Sequence, residues 1–273
     1  MGERSRIYIY IQQSVGFSRR QVNNIMDYPD YFAKFYDVIY DHMRSDVDLD
    51  YYLGKISATK GPVLEIGVGT GRLFTVAINN KADIYGIDIS QSMINILLIK
   101  LDPEHHNRIS LQDAVDFTFD KKFDLIIAPF RVYSHLTEVE DQLKALNNAA
   151  RHLTDTGRLI FDLYVPDPGM IASGLKDVKD FEGEYEPGRT FSRTVNMVAD
   201  IVHQISDITM TMKWMELDQE HTEDFNFKFR FYFRYEVEHL VARSALTLEH
   251  MYGDFNENEM KTGSREMVVV CRK

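Results

Sequence analysis

The chain has 273 residues, 44% hydrophobic and 27% charged, with 15 Gly, 7 Pro and one Cys, enough for one large or two modest domains with a sizeable core. A single cysteine, Cys271, excludes an internal disulfide framework, and no Cys/His cluster resembles a zinc module. A net charge of −11 makes the chain a poor binder of nucleic-acid phosphates, so no nucleic-acid partner is expected.

No apolar run reaches membrane-spanning length, and Met1–Tyr10 lacks a signal-peptide core. The expectation is a soluble, cytoplasmic protein with no membrane partner. Ile7–Ile11 reads as a short strand or packed arm within an N-terminal arm over residues 1–28. In Asp30–Met43, Phe32, Phe35, Tyr36, Ile39 and Tyr40 recur at three- and four-residue spacing, which predicts a helix. A second helix is predicted over Asp46–Ser57, ended by Gly61-Pro62.

Strands and helices then alternate. Val63–Ile66 is a short apolar strand, followed by a glycine cluster and a helix over Thr70–Asn80. Ala82–Asp88 is the second strand, and Ser90 stands where an N-cap belongs. Arg108–Leu111 is the third strand, and Phe123–Ala128 the fourth, apolar enough to be buried on both faces. Thr137 and Glu140 form a capping-box pattern ahead of the next helix, and Gly157–Tyr164 is the fifth strand. This rhythm predicts a mostly parallel sheet with helices on both faces.

Between Asp167 and Phe233 the period changes to two. Phe225, Phe227, Phe229, Phe231 and Phe233 alternate with polar residues, and so do Ile208, Met210, Met212 and Trp214. Arg189–Val198 is a further strand. The segment predicts a small antiparallel sheet with one apolar face, which must cover the main domain, a ligand cleft or a second copy. Left exposed, a face of this kind would favour a homodimer through the lid sheet. A helix over Arg234–Ser244 and strands over Leu246–Tyr252 and Glu266–Arg272 close the chain. The segment between those strands is too short for a helical crossover, so they are predicted to be antiparallel neighbours.

The strongest chemical signal is Val63-Leu64-Glu65-Ile66-Gly67-Val68-Gly69-Thr70-Gly71, a buried strand running into a glycine turn and a helix start. Glycines let the backbone turn tightly and approach a ligand. The helix start adds unpaired N–H groups and a positive dipole end. The dinucleotide fingerprint is G-x-G-x-x-G, whereas here the spacing is G-x-G-x-G and position 72 is Arg.

That E-x-G-x-G-x-G form resembles the first motif of the class I S-adenosylmethionine-dependent methyltransferases. Ile84–Asp88 ending in an acid, Gln112-Asp113-Ala114 after the third strand, Phe123–Pro129, and Thr156–Asp162 resemble later motifs of that family, in order. The match spans Asp30–Tyr164 and Arg234–Lys273. The inserted sheet and the stretch Phe130–Leu136 resemble the small-molecule branch, which includes amino-sugar N,N-dimethyltransferases.

The resemblance implies a Rossmann-like α/β fold: a mostly parallel seven-stranded sheet with an antiparallel last strand, plus a small inserted antiparallel lid. The methyltransferase domain would occupy residues 29–166 and 234–273, and the lid residues 167–233. It implies S-adenosyl-L-methionine as cofactor. The implied cofactor set is Glu65, Gly67, Val68, Gly69 and Gly71 in the first turn, with Asp88, Ile89, Met93, Asp113, Ala114, Pro129 and Phe130. Asp88 would bridge the two ribose hydroxyls, because a carboxylate accepts two hydrogen bonds at once. Asp113 and Ala114 would face the adenine. His135 and Tyr133 are the candidate catalytic residues, and Tyr36, Tyr40 and Arg131 the candidate substrate residues.

The implied reaction is methyl transfer to an N or O nucleophile of a small molecule. The alternatives are a protein or RNA methyltransferase, or a non-catalytic S-adenosylmethionine-binding protein. His105-His106 has no third ligand, and no metal is expected.

Overall fold

The structure is a computed structural model that describes residues 28–43 and 46–273. The strand expected at Ile7–Ile11, and nearly all of the expected arm, lie outside the described residues. Helices α1 (Asp30–Met43) and α2 (Val47–Ala58) come first. Then follow β1 (Val63–Ile66), α3 (Arg72–Asn79), β2 (Ile84–Asp88), α4 (Gln91–Lys100), β3 (Ile109–Leu111) and β4 (Phe123–Ala128). Helix α5 (Val139–His152) leads into β5 (Leu153–Tyr164) and the short α6 (Pro168–Ser173). Four long strands follow: β6 (Leu175–Glu186), β7 (Arg189–Asp200), β8 (Ile205–Glu216) and β9 (Gln219–Arg230). Helix α7 (Arg234–Ala242), β10 (Thr247–Tyr252) and β11 (Glu266–Arg272) complete the chain.

The main sheet runs β3-β2-β1-β4-β5-β11-β10. Strands β1 to β5 pair in parallel. β11 is antiparallel to both β5 and β10, as the short connection requires. Alternation along each strand divides the core between the two faces. Leu64, Ile66, Ile126 and Phe161 pack with α5 and α7. Val63, Leu125, Ile127 and Ile160 pack with α2 and α3. Both faces are covered, which is why β1 and β4 read as continuous apolar runs.

The second sheet runs β6-β7-β8-β9, wholly antiparallel. Its apolar face lies on α1: Phe32, Phe35 and Ile39 pack with Phe181, Phe191, Met212, Trp214 and Phe225. Phe35 stacks on Phe191 at 4.4 Å between ring centroids. The face expected to drive a homodimer is therefore covered by α1 of the same chain, and Phe191 and Phe225 offer a second copy no surface. Among the described residues no helix is long and apolar enough to cross a membrane.

Two local expectations are corrected, and one strand goes unforeseen. The Thr137/Glu140 capping box does not form; α5 starts at Val139 behind Glu138, without a side-chain cap. The Thr137 carbonyl instead accepts from Arg230 of β9 at 3.1 Å. The phenylalanine ladder ends at Arg230, so buried Phe231 and exposed Phe233 lie outside the strand. Strand β6 has no counterpart in the sequence reading, because it is a charged edge strand whose pairing with β7 shifts register three times.

Candidate functional site

Strand order reverses at β1, which lies between β2 and β4. Open α/β sheets bind ligands in the crevice beyond the carboxyl ends of the strands at such a switch point. A cavity of about 920 Å³ lies there. Its floor is the loops after β1, β2, β3 and β4, including Gly67, Gly69, Asp88, Ile89, Asp113, Ala114, Pro129 and Phe130. Its roof is α1, through Tyr36 and Tyr40, and the second sheet, through Ile208, Met210, Phe227 and Phe229. Helix α1 is fixed over it where Asp37 accepts from the Thr70 hydroxyl at 2.6 Å and from Lys100.

Asp88 ends β2 at the cavity edge. One carboxylate oxygen accepts from the Gly69 N–H and the other from the Ser90 N–H, both at 2.8 Å. The carboxylate thus ties the glycine turn to the start of α4, which Ser90 caps by accepting from Met93 N. Met93 lines the cavity from α4.

The glycine turn divides its work. Gly69 has φ of +55°, and a Cβ there would meet nothing nearer than the Gly67 carbonyl oxygen at 4.0 Å. Gly71 does not line the cavity; a Cβ there would run into the Leu97 side chain. In this position it packs α3 against α4. Glu65 and Val68 line a small adjoining pocket of about 60 Å³ rather than the main cavity. Glu65 is buried, and its Oε2 has no hydrogen-bond partner among the described residues. Burial and then the Asp88 charge push its carboxyl well above the ordinary range.

At the far end, Asp113 accepts from Val115 N at 3.1 Å, and burial raises its pKa. Tyr40 meets Phe130 edge-on, with centroids 5.1 Å apart. Arg131 pairs with Glu266 at 2.9 Å and lies over the Tyr164 ring.

The two catalytic candidates separate. His135 lines the cavity, with Nε2 3.4 Å from the Tyr28 hydroxyl. Its Nδ1 has no partner among the described residues. Tyr133 is in the core, stacked on Phe161 at 4.6 Å, and does not line the cavity wall.

Burial depresses the His135 imidazole to about 4. An unfolded histidine titrates near ~6.5, so as pH falls the unfolded chain takes up the proton first. Stability is complete above that value and declines toward pH 4. Between pH 7.5 and pH 5 the expected loss is about 2 kcal/mol. Urea unfolding at the two pH values is expected to show this loss, and His135→Gln to remove it. An identical pH dependence in the variant would contradict the depressed value.

Sequence reasoning missed several wall residues. Tyr28 starts the four-residue stripe Tyr28, Phe32, Tyr36, Tyr40, whose spacing was legible. Arg193 stands alone on the inward face of β7 among Phe191, Val195 and Met197, which was also a signal; it pairs with Asp180 at 2.7 Å. Glu266 and Asp254 lay in segments read only for strand order. Among the described residues the wall holds seven carboxylates (Asp48, Asp88, Asp113, Glu138, Asp141, Asp254 and Glu266) against the guanidiniums of Arg131 and Arg193. Such a wall favours a cationic ligand. No group of three His, Cys, Asp or Glu among the described residues is arranged to hold a metal ion.

An open sheet with this strand order, a glycine turn after β1 and a carboxylate ending β2 defines the class I methyltransferase fold. Residues 63–157 match the family model described as a methyltransferase domain. An uncharacterised methyltransferase of Staphylococcus carnosus is 30% identical over 118 residues, covering 42% of this chain and 54% of that protein. The chain spans about half the length of the curated relatives it matches. In overall fold it is similar to an S-adenosylmethionine-dependent methyltransferase from Clostridium acetobutylicum, with TM-score 0.71 and 17% identity over 89% of this chain and 98% of that one. It is also similar to the sugar N-methyltransferase KedS8 from Streptoalloteichus, with TM-score 0.69 and 17% identity over 96% of this chain and 100% of that one.

Proposed function

We propose that the chain transfers the methyl group of S-adenosylmethionine to a nitrogen or oxygen nucleophile of a small molecule. The observation that carries this reading is Asp88, set at the cavity edge with one backbone N–H on each carboxylate oxygen. A carboxylate there offers acceptor oxygens to ribose hydroxyls. The cofactor, when bound, supplies a methyl group made electrophilic by a sulfonium.

The residues fit that cofactor. The space above Gly69 receives its methionine part, and the partnerless Glu65 oxygen offers an acceptor to an ammonium group beside the turn. Asp113 and Ala114 take the adenine end. The carboxylate-rich wall suits a positive ligand. His135 stays neutral at pH 7 and accepts a hydrogen bond from the acceptor, with Tyr28 beside it. Arg131 and Glu266 present a donor and an acceptor to the polar groups of the acceptor molecule. Tyr36, Tyr40, Phe227 and Phe229 exclude water and hold the nucleophile in line, which accounts for much of the catalysis in such a transfer.

The net charge of −11 and a roof closed by α1 and the second sheet favour a small acceptor over RNA or a protein. We place the protein in the cytoplasm, where a reducing environment suits the single buried Cys271.

Calorimetric titration with S-adenosylmethionine, S-adenosylhomocysteine and NAD tests the reading. Binding of the first two and not the third supports it and opens a screen of amines and hydroxyl compounds for methyl uptake. Silence with both adenosyl ligands sinks it. Binding without turnover across the screen would move the protein to the non-catalytic class.

A further inference from the structure

Phe130 and Arg131 are consecutive non-glycine residues with left-handed backbone, φ of 62° and 61°. Side chains crowd the carbonyl in that region, so a pair in succession needs something to hold it. Both residues line the cavity: Phe130 meets Tyr40 of the roof, and Arg131 reaches Glu266 of β11.

The holder is Asp162, near the end of β5 and 2% exposed. Its Oδ1 accepts from Phe130 N at 2.8 Å and from the Tyr52 hydroxyl at 2.7 Å. Its Oδ2 accepts from Arg131 N at 3.2 Å. A buried carboxylate is tolerated when donors surround it, and here two of them are the amides of the strained turn itself. Asp162 does not line the cavity. The network continues: Tyr52 lies on α2, and Asp48 of α2 accepts from Arg72 at the start of α3, behind the glycine turn. We propose that Asp162 is a positioning residue that pins the left-handed turn after β4, so that Phe130 and Arg131 form the cavity wall between cofactor and acceptor. The inference rests on the reading of the cavity as the S-adenosylmethionine site.

The test is calorimetry with S-adenosylhomocysteine on the full chain, with circular dichroism to verify folding. In Asp162→Asn a single acceptor oxygen serves the Phe130 N–H and the Tyr52 hydroxyl, and the new amide group confronts the Arg131 N–H. The turn is released, and affinity is expected to fall at least about tenfold. Arg131→Gly in the same chain takes positive φ without cost, so the double variant is expected to bind within about threefold of the Arg131→Gly single variant, the reference that already lacks the Arg131 side chain. General destabilisation would not be reversed by a glycine at 131. Affinity of the Asp162→Asn variant within threefold of the parent, or a double variant that binds more than threefold weaker than the Arg131→Gly single variant, overturns the proposal. Asp162→Glu displaces both oxygens by one methylene and serves in the same way should the Asn variant fail to fold, with the same loss and the same match to the Arg131→Gly reference expected. A parent chain that does not bind S-adenosylhomocysteine defeats the cofactor reading itself, a result separable from any difference between variants.

Discussion

Asp88→Ala is expected to lower the affinity for S-adenosylhomocysteine by about 10²-fold while leaving the chain folded. Two ribose hydroxyls donating to one carboxylate make two charge-assisted bonds, each worth about 1.5–3 kcal/mol, and the lower end of that range gives about 3 kcal/mol, or about two powers of ten. The substitution also removes the acceptor that holds the Gly69 and Ser90 amides, so the glycine turn and the start of α4 loosen together. The effect on folding is smaller, because β2 keeps its pairing with β1 and β3 and α4 keeps the Ser90 cap. Asp88→Asn keeps one acceptor oxygen and is expected to fall between the two. Calorimetry with circular dichroism on the same samples separates lost binding from lost structure. Unchanged affinity in a folded Asp88→Ala protein would remove the ribose assignment and the main support for the cofactor.

The parallel half of the fold was legible because its strands are buried on both faces and separated by glycine and helix signals. Val63–Ile66, Phe123–Ala128 and Glu266–Arg272 run as expected to the residue, and Ser90 caps its helix as its position implied. The lid was legible only where alternation was clean. Strand β6 escaped because Lys, Asp and Glu occupy so much of it that neither face reads as apolar. What lay under the lid was not legible either. Phe225 and Phe191 announced an apolar face, but only the tertiary path of α1 decides that this face is filled from within the chain.

The site divides along the same line. Residues placed by the end of a core strand, such as Gly69, Asp88 and Asp113, reach the cavity because strand order alone puts them there. Residues just beyond the fourth strand depend on one backbone turn. Arg131 and His135 face the cavity while Tyr133 turns into the core, because the chain enters a short helical turn at Val132 from left-handed backbone. No periodicity in Phe130–Leu136 encodes that reversal; its holder, Asp162, is 31 or 32 residues further along the chain.

The two glycines at 69 and 71 are expected to fail in opposite ways when replaced. At Gly69 a valine side chain would enter the space above the turn, so Gly69→Val is expected to abolish detectable S-adenosylhomocysteine binding. Its folding cost is the left-handed backbone, about 1–2 kcal/mol for a non-glycine residue and somewhat more for a β-branched one. Gly71 also has positive φ, +86°, but a Cβ there is driven into Leu97, a fully buried residue joining α4 to the core. Gly71→Ala therefore adds overpacking of about 1–3 kcal/mol to the backbone strain. Leu97 lies on the α3 side of the sheet, behind the cavity floor, so the molecules of this variant that fold should retain most of their affinity. Urea unfolding and calorimetry on both variants give a two-by-two comparison, with binding lost at 69 and stability lost at 71. Equal binding defects in the two folded variants would mean that the turn meets its ligand along its whole length, and Gly71 would stand in the cofactor set.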